Sequence, residues 1–287
     1  MNYDVITVIP TFFDDDNKID IVSIKNHIDG KIKNGIKTIV ILGTTSETPT
    51  LTKDEKMFIV ENICNEYRDK LSIIIGVSGN DTASVLEETK LYETYGDAIM
   101  ISAPYYNKPT QEGIYQHFSK VILNIQNKFI LYNVPSRSGV NIEPTTVARI
   151  YNDFPFKVIG IKEASGSIEQ VMKIKSLCKI KILSGDDLLV LPFMAVGAEG
   201  VISVVSNIIP SEMKLMVEHF KEGNVMEASK IFYELYNLMK LCFVESNPVP
   251  LKYLLSQTIN TLPIVRLPLV ELEEKNKDLF KDFLDRL

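Results

Sequence analysis

Tryptophan is absent from this 287-residue chain, and cysteine and histidine occur only three times each. Cys64, Cys178 and Cys242 stand far apart, without the short spacings of a metal site, and their odd number makes no disulfide framework. Buried reduced thiols are the expected reading, and the cytoplasm the expected compartment. His27, His117 and His219 are equally scattered, so a metal centre has almost nothing to be built from and none is expected. The acidic run Asp14-Asp-Asp-Asn17 reads as a solvated turn. Basic charge is outweighed, with a net charge of −6, where a nucleic-acid partner would want a basic stripe. No stretch approaches the roughly 18 apolar residues of a membrane span. No basic segment followed by a long apolar one marks a signal peptide at the start. Neither nucleic acid nor membrane is expected as a partner.

What the chain does contain is alternation. Short apolar, β-rich runs at 5–10, 38–42, 72–77, 98–103, 128–132, 157–162, 180–184 and 200–204 predict strands. Amphipathic stretches at 21–34, 53–67, 82–95, 112–125, 145–151 and 167–178 predict helices between them. The start of the second is marked by Thr52-Lys-Asp-Glu55, which reads as a capping box. Eight strands alternating with helices predict an α/β fold, a closed (β/α)8 TIM barrel over residues 1–207. An open doubly wound sheet would advertise a glycine-rich phosphate turn after the first strand, and Pro10-Thr-Phe-Phe-Asp-Asp has none. Beyond Asn207 the strand pattern stops. Helical patterns at 210–222, 226–244, 250–257 and 272–287 predict a C-terminal all-helical extension over 208–287.

Polar or reactive groups follow the C-terminal ends of six of these strands: Gly43-Thr-Thr-Ser-Glu47, Pro104-Tyr-Tyr-Asn107, Tyr132 with Arg137, Lys162-Glu163, Gly185-Asp-Asp187 and Ile202-Ser203. A barrel gathers strand ends of this kind on the rim where barrel enzymes keep their active sites. In Val158-Ile-Gly-Ile-Lys-Glu-Ala-Ser-Gly166 an apolar strand ends on one amine, Lys162. Strand alternation puts Val158, Gly160 and Lys162 on one face, with Gly160 expected to leave open space below the amine. In a barrel interior the cost of desolvating a charge favours the free amine, a nucleophile for a ketone. A lysine snorkelling to solvent from a strand end is the ordinary alternative. Tyr132, ending the preceding strand, is a candidate proton shuttle or simply a core tyrosine with its hydroxyl at the edge. Thr44 and Thr45 offer hydroxyls and backbone N–H groups suited to a small carboxylate, or plain turn chemistry. Arg137 can clamp a second carboxylate or sit in a surface ion pair.

Five motifs stand in order and in register: Gly43-Thr-Thr-Ser-Glu47, Tyr105-Tyr-Asn-Lys-Pro-Thr-Gln-Glu-Gly113, Tyr132-Asn-Val-Pro-Ser-Arg-Ser-Gly139, Gly160-Ile-Lys-Glu-Ala-Ser-Gly166 and Gly200-Val-Ile-Ser203. Through them the chain resembles the dihydrodipicolinate synthases, of the pyruvate-dependent class I aldolase family. The likeness extends over nearly the whole length, including Glu245-Ser-Asn-Pro-Val-Pro-Leu-Lys252. It implies that pyruvate condenses with L-aspartate 4-semialdehyde through a Schiff base on Lys162, with no metal or organic cofactor. It implies that Tyr132 relays protons and that Thr44 links it to Tyr106, which reaches into a neighbouring subunit. Thr45 would hold the pyruvate carboxylate, Arg137 that of the aldehyde, and the Gly185 and Ile202 backbones would line the pyruvate pocket. The implied assembly is a homotetramer, a dimer of tight dimers.

Two departures stand out. Ser46 occupies a position where the family usually has glycine, which bears on the turn only if its φ is positive. Lys53 and Lys56 stand where lysine-inhibited members carry histidines, with Ser84 near where those have an acid, so feedback by lysine is expected to be weak or absent. The rival readings are another aldolase on the same scaffold, such as N-acetylneuraminate lyase or a 2-keto-3-deoxy-sugar-acid aldolase, or a silent keto-acid sensor. Arg137 argues against the first, because such lyases typically lack it. Lys162, Tyr132, Thr44 and Tyr106 together argue against the second.

Overall fold

Eight short runs that are apolar on both faces make parallel strands, which need cover on both sides. In the computed structural model, which describes residues 1–285, they close into a barrel in sequential order. The strands and helices alternate as β1 (Val5–Val8), α1 (Ile21–Lys33), β2 (Thr38–Ile41), α2 (Lys53–Tyr67), β3 (Ser72–Val77), α3 (Thr82–Tyr92), β4 (Ala98–Ser102) and α4 (Gln111–Leu123). They continue as β5 (Phe129–Asn133), α5 (Pro135–Ser138), α6 (Pro144–Asp153), β6 (Val158–Glu163), α7 (Ile168–Leu177), β7 (Ile182–Ser184), α8 (Val190–Ala195) and β8 (Gly200–Ser203). Helices α9 (Pro210–Lys221), α10 (Val225–Leu241), α11 (Val249–Thr258), α12 (Glu274–Lys277) and α13 (Lys281–Leu284) follow. The (β/α)8 TIM barrel expected from the alternation is the fold observed.

Two details differ from the sequence expectation and one agrees with it. α5 and α8 are not among the helices predicted above; both are short, and each contains a proline, Pro135 and Pro192. The single helix expected over 272–287 is two four-residue helices joined by a 3₁₀ turn, and residues 286–287 lie outside the described residues. The capping box at Thr52 is present in both directions: the Glu55 amide donates to Thr52 Oγ1 at 3.2 Å and the Thr52 amide to Glu55 Oε2 at 2.8 Å.

The chain divides into two compact units. One comprises residues 1–4 and 72–202, the other 5–71 and 203–287. In the first unit, β4 and β5 are buried along their whole length. Its helices bury one stripe each, as α4 does with Ile114, His117, Phe118, Val121 and Ile122. In the second unit β1 pairs with β2, Thr7 opposite Ile39. Its helical core is built from Met213, Met216 and Val217 of α9, Leu238 and Met239 of α10, and Leu251, Leu254 and Leu255 of α11.

Two of the three histidines are structural. In the second unit His27 Nε2 donates to Asn207 Oδ1 at 2.8 Å; the Asn207 amide is already committed to the Val8 and Val204 carbonyls, which fixes its oxygen as acceptor. Burial, aided by the charge of Lys31, holds His27 down to about 3. In the first unit His117 Nδ1 lies 3.0 Å from Thr82 Oγ1, and burial holds this ring down to about 4. Unfolded, both rings take up a proton below their ordinary value of 6.5. Stability present above that pH is therefore lost as pH falls towards 4, by about 1.4 kcal/mol per pH unit for each ring. Denaturant titrations across this window should show the decline, and His27→Gln should remove about half of the slope attributable to the two rings.

Candidate active site

Register between β5 and β6 decides which side chains meet. Phe129 pairs with Val158 and Ile130 with Gly160, so Ile159 is the extra residue of a bulge; from there Tyr132 falls opposite Lys162 and Asn133 opposite Glu163. Both members of the first pair are buried, Lys162 5% exposed and Tyr132 6%. The lysine Nζ lies 4.5 Å from the centroid of the tyrosine ring. Among the described residues no carboxylate pairs with the amine and no acceptor takes its protons. Lys162 does not snorkel. Its amine is held inside, beside a phenol.

Glycine makes room for it, though not the glycine expected. A β-carbon on Gly160 would lie 3.2 Å from the Lys181 carbonyl oxygen, so this residue serves close approach of β7 and leaves no space below the amine. The room comes from Gly185, just past β7. A β-carbon there would stand 2.6 Å from Ala164 Cβ and 3.1 Å from Lys162 Cε. The Gly185 amide donates to the Glu163 carbonyl at 2.8 Å, which fixes this bare stretch of backbone against the lysine stem. Ile202, on β8, is buried.

On the other parity of the same strands lies a network that the sequence reading did not identify. Glu163 is fully buried, and its carboxylate accepts from Asn133 Nδ2 at 3.0–3.1 Å, Gln170 Nε2 at 2.9 Å and the Ser165 amide at 2.7 Å. Asn133 Oδ1 accepts from the Ile142 amide at 2.9 Å, and Asn141 donates to Gln170 Oε1 at 2.7 Å. The available signal was a polar residue following each reactive one, Tyr132-Asn and Lys162-Glu, at the ends of otherwise apolar strands.

The loops after β4 and β5 meet through one backbone bond, Tyr106 amide to Ser138 carbonyl at 3.2 Å. Tyr106 has φ +69° and is 87% exposed, presenting its ring outward. Arg137 is exposed on α5, a single turn started by Pro135 and ended by left-handed Gly139. The structure thus brings Lys162, Tyr132 and Gly185 together and sets Tyr106 and Arg137 on joined loops.

Thr44 and Thr45 belong to the turn after β2, in the second unit. Thr45 is buried, and its Oγ1 accepts from Asn247 Nδ2 at 2.9 Å. Asn247 was legible only as part of the motif that ends at Lys252. Ser46 lies in the 3₁₀ turn Thr44–Ser46, is not among the residues with positive φ, and donates its hydroxyl to the Ile9 carbonyl at 2.7 Å. A β-carbon is therefore unstrained there, and the departure from glycine leaves the turn intact.

A (β/α)8 barrel with a sheltered lysine at the end of its sixth strand, beside a tyrosine, is in keeping with a lyase. The chain belongs to the dihydrodipicolinate synthetase family, whose model matches residues 1–287. It is 45% identical over 275 residues to a 4-hydroxy-tetrahydrodipicolinate synthase from Sulfurihydrogenibium sp., covering 94% of this chain and 93% of that one. The crystal structure of dihydrodipicolinate synthase from Thermotoga maritima superposes with a TM-score of 0.96 at 35% identity, covering 100% of this chain and 98% of that chain. A monomeric dihydrodipicolinate synthase variant gives the same TM-score, 0.96, at 35% identity, covering 99% of this chain and 96% of that chain. No helix among the described residues is long and apolar enough to cross a membrane, and no group of three or more His, Cys, Asp or Glu there could hold a metal ion.

The Gly185 contacts predict a specific defect. Gly185→Ala should displace the lysine stem and slow borohydride trapping of a small keto acid by roughly tenfold to a hundredfold, while thermal melting shifts only modestly. A trapping rate equal to the parent would show that the close approach is not needed.

Proposed function

We propose that the protein condenses pyruvate with L-aspartate 4-semialdehyde to give 4-hydroxy-tetrahydrodipicolinate, with Lys162 as the Schiff-base residue. The observation that carries this reading is the buried Lys162 amine, unpaired among the described residues, beside the Tyr132 ring and against Gly185. The amine adds to the ketone carbon of pyruvate, and the carbinolamine loses water to give an iminium. The iminium draws electrons from the methyl group, which gives up a proton and becomes an enamine carbon. That carbon attacks the aldehyde, and the new alkoxide takes a proton. The amino group of the lengthened chain then attacks the iminium carbon, expels Lys162 and closes a six-membered ring. One water is lost overall. The electron sink is the iminium itself, so the scheme requires neither metal nor organic cofactor.

Tyr132 moves protons during carbinolamine formation and breakdown, with Thr44 and Tyr106 as its relay. Thr45 and its turn receive the pyruvate carboxylate, and Arg137 receives that of the aldehyde. The backbones of Gly185 and Ile202 line the keto-acid pocket. The outward, left-handed Tyr106 supports a role across a subunit boundary, in a homotetramer made from two tight dimers. Three free, buried cysteines are in keeping with a cytoplasmic setting.

Sodium borohydride added with pyruvate should fix a permanent mass increase on the protein, and Lys162→Ala should abolish it. A coupled assay with a dipicolinate reductase should then consume reduced nicotinamide only when both substrates are present. No adduct, or an adduct elsewhere, would overturn the assignment. Tyr132→Phe should lower kcat by about a hundredfold or more with pyruvate affinity far less changed, the pattern of a lost proton relay. An unchanged kcat would remove Tyr132 from the chemistry.

A further inference from the structure

The turn assigned to the pyruvate carboxylate is bracketed by two non-glycine residues in the left-handed region, Leu42 at φ +52° and Glu47 at φ +55°. Such residues persist only where their surroundings hold them there. For Glu47 the hold comes from far along the chain. Its buried carboxylate takes Lys252 Nζ on Oε1 at 2.5 Å and the Arg266 amide on Oε2 at 2.8 Å. Lys252, on α11, is also fully buried, donates to the Ile264 carbonyl at 2.7 Å and lies 4.3 Å above the ring of Phe13. Within the turn, Thr48 Oγ1 donates to the Leu42 and Gly43 carbonyls at 2.9 and 2.8 Å, and Asn247 grips Thr45 Oγ1 two residues before α11 begins. A buried ion pair is a weak source of net stability but a strict geometric constraint.

We propose that Glu47 and Lys252 are positioning residues: their ion pair lets the C-terminal helical segment hold the Leu42–Glu47 turn in the one backbone shape that receives the pyruvate carboxylate. The inference rests on the reaction proposed above, and it makes the helical segment part of substrate recognition. Neither residue touches substrate. Their influence runs through the amides and hydroxyls of Thr44 and Thr45.

The separation of binding from stability tests it. Lys252→Met leaves Glu47 buried without its cation and should raise the pyruvate KM by about tenfold, with the aldehyde KM and kcat little moved. The same variant should melt at lower temperature. The double variant Glu47→Gln/Lys252→Met buries no charge; it should regain most of the melting temperature yet keep the raised pyruvate KM, since methionine cannot anchor the carboxamide. Half-saturation of borohydride trapping by pyruvate should follow KM in both proteins. A pyruvate KM at the parental value in either variant would overturn the proposal and leave the pair with a merely structural role. Parent enzyme that traps no pyruvate would instead fail the reaction itself, and this inference with it.

Discussion

An amine placed at the end of a buried strand without an acid beside it is costly, and most proteins avoid it. Here the cost is contained by local geometry. The Lys162 stem lies along bare backbone at Gly185, and its nitrogen rests against the face of Tyr132 rather than against a carboxylate. In the proposed reaction a counter-ion would work against the amine, because a paired ammonium has no lone pair to offer a ketone. The nearest acid in sequence, Glu163, points to the opposite side of the strand and spends its oxygens on Asn133, Gln170 and the Ser165 amide. The residues proposed for the chemistry and those of the scaffold thus occupy alternate positions of the same two strands.

The same division recurs in the second unit. Thr44 and Thr45 stand in a turn whose neighbours, Ser46, Glu47 and Thr48, spend their side chains on holding its shape. Glu47 draws on Lys252 and Arg266, and the Arg266 guanidinium in turn grips the Glu55 carboxylate on α2 and the Thr50 carbonyl. The C-terminal helices are therefore wired to the turn by charged groups as well as by packed apolar faces.

How much of this could be read from sequence follows from what each feature depends on. The eight strands were legible because runs apolar on both faces recur between amphipathic helices, a pattern carried by many residues at once. Lys162 and Tyr132 were legible because a reactive side chain ends an otherwise apolar strand. Gly160 misled, since a glycine in sequence does not say whether it makes space for a side chain or for a neighbouring carbonyl, and here it faces Lys181. Gly185 does what Gly160 was expected to do. The Glu163 network and the Glu47–Lys252 pair were hidden for a different reason. Their partners lie up to 205 positions apart in the chain, and only the closed topology supplies the pairing.

The bulge in β6 sets the parity of the site. Side chains on a strand alternate with a period of two, so one added residue reverses the parity of everything beyond it. Carried forward regularly from Phe129 and Val158, with Ile159 paired to Ile130 instead of bulged, the ladder would set Tyr132 opposite Ile161 and Asn133 opposite Lys162. The acid and the base would exchange sides, the carboxylate turning to the phenol and the amine to the scaffold. The extra residue at Ile159, as much as the composition of the strand, is what sets the amine beside the phenol.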